Sequence, residues 1–475
     1  MVHFGTGGWR AIIGDEFTKA NIQILAKAMC KLIKADGVED KPVVIGYDRR
    51  FLSKETVYWS CEVFAKEGIR TLFINRSVPT PVVMFYVMKH NLDYGMMVTA
   101  SHNPALYNGI KVFTREGRDA NEQVTGRIEG YIREVMDEAK GQPIPTVPYE
   151  QAVKEELVTE FNPLNEYLDN IIDRINMQAI RSAQLHIALD PMYGVSLNSL
   201  RTILLTARCD LDLINDEHDT LFGGKMPAPS SSTLHALQTY VIDHRCDIGL
   251  ATDGDGDRIG VIDDKGRYLH ANDILVVLYW YLVKYKGWKG PVVRNISTTH
   301  TLDRVADSFG QQCYEVPVGF KHISAKMQET DAVLGGESSG GLTVRGHING
   351  KDAVYAAMLL VEMLAVTGLK MSEILDEIHK EYGEIHMEER AYGMTPARKQ
   401  EVFRQLMEDK AVPEMNLPVE KVSYLDGCKV YFENGGWISA RFSGTEPLLR
   451  IFCEMPEEQQ AKDLCRVWEC FLNLD

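Results

Sequence analysis

The chain has no excess of basic residues: 51 lysines and arginines face 67 aspartates and glutamates, a formal net charge of −16. This excludes nucleic acid and anionic membrane as main partners, and leaves an anionic small molecule only where basic residues are concentrated locally. Long apolar runs are missing as well. The longest, Ile274 to Val283, is ten residues, about half of what a membrane span requires. The amino terminus, Met1 to Arg10, holds no apolar signal core, so the expected setting is cytoplasmic. Nine cysteines, an odd number without a Cys-x-x-Cys pair, speak against a disulfide framework and for reduced thiols. Cys246 and Cys453 lie in strand-like apolar runs and read as core residues.

What is present is enough apolar material for several cores. At 475 residues and 45% hydrophobic content, the chain should divide into three or four domains. One pattern recurs three times: strand, helix, strand, helix, strand, then a polar loop. The first copy runs Pro42–Tyr47, Ser53–Lys66, Ile69–Ile74, Pro81–Lys89 and Tyr94–Val98. The second runs Leu185–Leu189, Leu197–Thr206, Leu211–Asn215, Thr233–His244 and Asp247–Ala251. The third runs Val292–Ile296, Thr301–Phe309, Cys313–Val316, Lys321–Glu329 and Ala332–Leu334. Strands alternating with helices of this length predict α/β crossover units and mixed, mainly parallel sheets. Lys351–Thr367 and Ser372–Tyr382 read as helices leading out of the third copy. From about His386 the pattern becomes strand, helix, hairpin and final helix, a small α+β domain with Glu433 to Gly436 as hairpin turn and Glu457–Leu472 as closing helix. The three prolines of Gly141–Pro148 mark a linker. The expected domains are 1–148, 149–262, 263–382 and 383–475.

Each copy ends on a loop with chemistry in it. Thr99-Ala100-Ser101-His102-Asn103-Pro104 places a hydroxyl at the carboxyl end of a buried strand, where open α/β sheets bind ligands. Asp253-Gly254-Asp255-Gly256-Asp257-Arg258 places three carboxylates at alternate positions, a hard-oxygen set suited to Mg²⁺ or Ca²⁺ and not to zinc. An EF-hand fails here, because Arg258 stands at the sixth position, Asp264 at the twelfth, and the flanks read as strands. Three clustered carboxylates repel one another without a cation. Gly335 to Gly341, with Glu337, Ser338 and Ser339, offers acceptor and donor groups of the kind sugar hydroxyls need, though alone it reads as a plain turn. Arg441-Phe442-Ser443-Gly444-Thr445-Glu446-Pro447, followed by Arg450, is an anion cradle of one or two guanidiniums, two hydroxyls and a flexible backbone. Phe4 to Arg10 is a comparable Gly-rich loop ending on a cation. Lys111 and Lys321, singly, read as surface lysines. Gly46-Tyr47-Asp48-Arg49 and Arg345-Gly346-His347 read as segments that order a neighbouring loop.

Taken together and in this order, Phe4–Arg10, Thr99–Pro104, Asp253–Arg258, Gly336–Gly340 and Arg441–Pro447 resemble the α-D-phosphohexomutase family of phosphoglucomutases and phosphomannomutases. The resemblance implies three similar α/β domains and a C-terminal domain resembling the TATA-binding-protein fold, around a central cleft. It implies that Ser101 carries a phosphoryl group as phosphoserine, with Asp253, Asp255 and Asp257 holding Mg²⁺ against it. Arg258, His102 and Arg10 would offset the charge of the phosphoryl group in transfer. Lys111 would be the first candidate for proton transfer and Lys321 a second, a role that needs a lowered pKa. Glu337 and Ser339 would grip sugar hydroxyls, while Arg441, Ser443, Gly444, Thr445 and Arg450 hold the phosphate that is not transferred. Hexose 1,6-bisphosphate (glucose 1,6-bisphosphate) would be intermediate and activator, hexose phosphates the partners, and the protein a monomer or homodimer.

The sugar loop narrows the substrate. The Gln-plus-His form associated with phosphoglucosamine mutases is absent, since Ser338 and Gly341 stand at those positions. Glucose phosphate is therefore the expected substrate, mannose phosphate (or both) the alternative, and glucosamine phosphate a third. The rivals outside mutase chemistry are a phosphoserine-type phosphatase and a sugar-phosphate sensor.

Overall fold

The apolar runs of the first repeat form strands whose residues are buried along their whole length, as in a sheet covered on both faces. The computed structural model describes residues 2–5, 8–443 and 448–474, in two units, Met1–Ile274 with Ser339–Ser372 and Leu275–Ser338 with Glu373–Asp475. In the first unit, Tyr94–Val98, Val43–Tyr47, Thr71–Ile74 and Val158–Phe161 pair in parallel in that order. Tyr107–Thr114 and Gly8–Ile12 extend the sheet antiparallel beyond Tyr94–Val98. Helix Lys19–Ala35 packs with both Ser53–Lys66 and Glu122–Ala139, and Thr80–Lys89 packs with Leu164–Ile172. The chain after Gly141–Pro148 thus returns to the first sheet through Val158–Phe161.

The second sheet runs Asp210–Leu213, His186–Asp190, Ile248–Thr252, Ile259–Ile262 and Tyr268–Leu269. Its first three strands are parallel, and Ile248–Thr252 and Ile259–Ile262 form an antiparallel pair. The aspartate loop is the connection of that pair, so its carboxylates are fixed at both ends by strand hydrogen bonds. Helix Ala353–Thr367 packs against this sheet and is buried along nearly all its length.

In the second unit, Cys313–Val316, Val292–Asn295 and Leu334–Gly336 are parallel, with Val292–Asn295 in the middle. The C-terminal sheet is antiparallel throughout, ordered His386–Gly393, Leu448–Met455, Trp437–Phe442, Cys428–Phe432 and Val419–Ser423. Glu433 to Gly436 is its hairpin turn, and Glu458–Leu472 packs Trp468 and Leu464 into its core. The apolar run Ile274–Val283 is part of helix Ala271–Lys284 and is buried through Leu282. Among the described residues no single helix is long and apolar enough to cross a membrane. All nine cysteines are free thiols.

Candidate active site

Strand Tyr94–Val98 ends three residues before Ser101, which is fully buried and adopts a left-handed backbone, φ +52°. A non-glycine residue there costs on the order of 1 kcal/mol or more and persists only where its surroundings hold it. Those surroundings are visible. The Ser101 amide donates to Thr99 Oγ1 at 2.8 Å. Arg50, whose side chain is fully buried, donates to the carbonyls of Ser101 and Asn103 at 2.6 Å, Pro104 at 2.9 Å and Tyr107 at 3.0 Å. Asp48 lies 3.3 Å from Arg50 Nε and accepts from the Arg50 amide and Ser53 Oγ. The segment around Asp48 does order neighbouring loops: Arg49 Nη1 donates to the carbonyls of Tyr193 at 3.2 Å and Glu217 at 3.0 Å, while the serine loop is held by Arg50, one residue beyond the motif.

The serine loop and the aspartate loop meet within the first unit. Ser101 Oγ donates to Asp253 Oδ2 at 2.9 Å and lies 3.3 Å from His102 Nδ1. Gly254 permits the approach, since a Cβ there would stand 3.0 Å from the Ser101 carbonyl. Asp253 Oδ1 accepts the amides of Asp257 and Arg258, which turns the loop on itself. All three aspartates are buried and can each offer one carboxylate oxygen within 4.8 Å of the others. Oxygens around a Mg²⁺ at 2.0–2.1 Å lie roughly 3–4 Å apart, so the spacing suits that ion. Asp255 Oδ1 and Asp257 Oδ1 are buried without a hydrogen-bond partner, a cost that a bound cation would relieve. The residues fit the metal. Burial and the two neighbouring carboxylates push the Asp253 carboxyl well above its usual range. Burial also opposes charge on Asp257, but Lys111, Lys351 and Arg258 hold it well below.

The cations divide between direct pairing and a more distant field. Lys111 Nζ donates to Asp255 Oδ2 at 2.7 Å and to Asp257 Oδ2 at 2.8 Å. Burial disfavours its charge, yet Asp255 and Asp257 prevail and raise its pKa. This is the reverse of the lowered pKa that a lysine base needs, because the carboxylates outnumber the ammonium they face. Arg258, then burial, then Arg10, hold His102 far below the usual imidazole range, so it is neutral at physiological pH. Arg10 Nη1 donates to Asn103 Oδ1 at 2.7 Å, bracing the serine loop from the sheet edge. Lys351 Nζ lies 3.0 Å from Asp257 Oδ2, a contact between residues 94 positions apart that no sequence spacing announces. Its neighbour Asp352 accepts Tyr167 OH at 2.7 Å, lies 2.6 Å from His347 Nε2, and caps helix Ala353–Thr367. His347 thus orders the turn that presents Lys351. The Lys351 side chain fills the space beside Gly341, where a Cβ would come within 2.2 Å of it.

The remaining predicted residues lie in or beside the second unit. Glu337 is buried and accepts Asn295 Nδ2 at 3.2 Å and the Gly319 amide at 3.0 Å. Lys321 follows two residues on, in helix Phe320–Thr330, while Ser339 is exposed at the start of the returning segment of the first unit. Arg441 and Arg450 are direct partners across neighbouring strands. Two like charges so placed repel unless anions lie between or beside them. Arg441 Nε donates to Asp426 Oδ2 at 2.7 Å and Arg450 Nη1 to Glu389 Oε1 at 3.2 Å. Asp426 Oδ2 also accepts the Val318 amide, tying the arginine strand to the segment that holds Glu337. Ser443 is buried, whereas Gly444 and Thr445, like Thr6 and Gly7 of the amino-terminal loop, lie outside the described residues.

Comparison with known proteins bears on the whole chain. Models of phosphoglucomutase/phosphomannomutase α/β/α domains I, II and III match residues 1–139, 165–266 and 270–382, and the C-terminal domain model matches 399–467. A "Phosphoglucomutase/phosphomannomutase" of Thermococcus kodakarensis is 28% identical over 97% of this chain and 96% of its own. A "Probable phosphoglucosamine mutase" of Methanosphaera stadtmanae is 27% identical over 99% and 98%. The crystal structure of a phosphoglucomutase/phosphomannomutase family protein from Burkholderia thailandensis superposes with a TM-score of 0.82, at 21% identity over 100% of this chain and 98% of that one. The N-acetylphosphoglucosamine mutase of Aspergillus fumigatus, solved in complex with GlcNAc-6P and magnesium, shares the fold at a TM-score of 0.56 and 15% identity, over 100% and 96% of the two chains. Three α/β sheets followed by an antiparallel C-terminal sheet, matched in order, define the class as the multidomain α/β phosphohexomutases. The chain belongs to the phosphoglucomutase/phosphomannomutase family and is an intramolecular phosphotransferase acting as a phosphohexomutase.

Proposed function

We propose that this phosphohexomutase is a phosphoglucomutase, interconverting α-D-glucose 1-phosphate and glucose 6-phosphate through phospho-Ser101 and glucose 1,6-bisphosphate. One observation carries the reading: Ser101 Oγ stands 2.9 Å from Asp253 in a buried aspartate trio that retains two carboxylate oxygens without hydrogen bonds. In this reading Asp253, Asp255 and Asp257 hold Mg²⁺, which when bound offsets the charge on the phosphoryl oxygens. The bond from phosphorus to Ser101 Oγ breaks as one forms to the free sugar hydroxyl, whose proton passes to a base. Oγ, once reprotonated, again donates to Asp253. The bisphosphate then turns, and its other phosphoryl group returns to Oγ. Arg258 and Arg10 supply positive charge beside the serine, and His102 is a neutral hydrogen-bonding neighbour. Lys111 serves as the base only after giving up Asp255 and Asp257 and its own proton; Lys351 is the second amine at the same carboxylates, and Lys321 a further phosphate or proton-transfer contact.

Glu337 and Ser339 bind sugar hydroxyls in this scheme, and Arg441, Ser443, Gly444, Thr445 and Arg450 clamp the phosphate that stays. The fourfold division at residues 148, 262 and 382 and a cytoplasmic setting belong to the same reading. Glucose is favoured by a sugar loop with Ser338 and Gly341 in place of the Gln-plus-His form. Mannose phosphate is the second reading, supported by the double name of the Thermococcus relative, and glucosamine phosphate the third, supported by the name of the Methanosphaera relative. The test compares kcat/KM for glucose, mannose and glucosamine 1-phosphates with the matching 1,6-bisphosphate and Mg²⁺ present. Glucose phosphate should be highest; a higher value for either other sugar overturns the sugar assignment. Ser101→Ala should lower turnover by at least about a thousandfold, as loss of a covalent carrier does. Wild-type turnover in that variant, or release of inorganic phosphate in place of isomer, would overturn the mutase mechanism.

A further inference from the structure

A second group of donor atoms converges at the opposite end of the sheet that carries the aspartate loop, and it is chemically unlike that loop. His186 opens strand His186–Asp190, Asp212 lies in the parallel neighbour Asp210–Leu213, and Cys246 precedes Ile248–Thr252 on the other side. The His186 Nε2 atom lies 2.7 Å from Asp212 Oδ2 and 3.7 Å from Cys246 Sγ. All three donor atoms fall within 4.8 Å of one another. The thiol, 2% exposed, lies beneath a histidine and an aspartate that are each about a quarter to a third exposed. We propose that His186, Asp212 and Cys246 form a metal site for a borderline-soft divalent cation, Zn²⁺ foremost, with water completing the shell.

Three observations carry this beyond a chance cluster. First, the thiol and the carboxylate both face the same ring nitrogen. A Cys-His-Asp proton relay needs the two on opposite ring nitrogens, so convergence on Nε2 matches metal ligation and not nucleophile activation. Second, the distances are near those required. In a tetrahedral zinc shell with bonds of 2.0–2.3 Å, neighbouring donors lie about 3.3–3.8 Å apart. The histidine–thiol distance, 3.7 Å, is there already, and the histidine–carboxylate distance opens to that value by a turn of the partly exposed Asp212 side chain. Third, the surroundings are acidic. Asp247 Oδ2 accepts the His186 amide at 2.8 Å, and Asp210 is the direct cross-strand partner of His186. The same carboxylates attract a dication. Loading forms the metal–sulfur bond, releases the thiol proton to solvent and moves the imidazole proton to Nδ1. Nitrogen and sulfur donors refuse Mg²⁺, so this site and the aspartate loop take different ions from a mixed pool.

Cobalt provides the probe, because a thiolate ligand gives Co²⁺ a charge-transfer band that an all-oxygen site cannot. The full-length protein, reduced, oxygen-free and saturated with Mg²⁺, is titrated with Co²⁺ and then with Zn²⁺. The expected result is one equivalent of the band, displaced by Zn²⁺, lost in Cys246→Ser and His186→Gln, and retained in the aspartate-loop variant Asp255→Asn. Zn²⁺ affinity in the first two variants should fall at least about tenfold to a hundredfold. Mutase turnover with Mg²⁺, which reports the intact fold, should be unchanged in both. Absence of the band in the wild type, its survival in Cys246→Ser or His186→Gln, or its loss in Asp255→Asn overturns the proposal.

Discussion

Single side chains at this site are set by what surrounds them more than by their own type. Ser101 shares its residue type with many exposed serines, but a left-handed backbone, full burial and a carboxylate acceptor at 2.9 Å set it apart. Lys111 read alone is an ordinary surface lysine, and the structure makes it a buried partner of two aspartates. Asp190, at the end of a strand of the second sheet, shows the same principle away from the site. Burial raises its pKa from 3.8 to about 6 against the opposing hydrogen bonds of the Met192 amide and Asn215. A carboxyl with a raised folded-state pKa keeps its proton longer in the folded than in the unfolded chain. Stability therefore falls as pH rises from about 4 to about 6 and is level above that, an effect of up to about 3 kcal/mol. Urea midpoints taken across that range should show the decline in the wild type and lose it in Asp190→Asn; equal slopes in both would count against the assignment.

At the scale of elements, the loops carry the chemistry and the buried strands hold them in place. Strands are legible where burial along their whole length leaves an apolar run, as in Tyr94–Val98, and that strand, strand Cys313–Val316 and helices Ser53–Lys66 and Leu197–Thr206 have the predicted ends. The antiparallel edge from Gly8–Ile12 was harder to see, since a Gly-rich segment gives little period-two signal. The bracing of the serine loop was also hidden. Arg50 is 51 residues away in sequence, and its guanidinium bonds only to backbone carbonyls of the loop, so no side-chain motif marks it. Replacing Arg50 with alanine leaves Asp48 buried without its ion-pair partner and four carbonyls short of a donor. The expected cost is about 3–5 kcal/mol, with a lower urea midpoint and mutase activity reduced even where the protein remains folded. A midpoint within experimental error of wild type would show that the loop is held some other way.

For the whole molecule, metal binding and folding are linked through the aspartate loop. A cation that binds the folded state at about a hundred times its Kd adds about 2.7 kcal/mol, or roughly 3–5 °C in the melting temperature of a unit this size. Mg²⁺ should produce that shift in the wild type, excess chelator should reverse it together with mutase activity, and Asp257→Asn should show little of either. A melting curve indifferent to Mg²⁺ in the wild type would speak against the loop as its site. The sequence by itself determined the repeat of α/β units, the hard-oxygen character of the aspartate loop and the family, because periodicity and residue type survive in one dimension. Only the tertiary structure decided which cations meet those carboxylates, that Lys351 and Arg50 belong to the site, and that Cys246 faces a histidine and an aspartate. Those are encounters between residues 34 to 146 positions apart, and chain folding, which brings strand ends together, is what creates them.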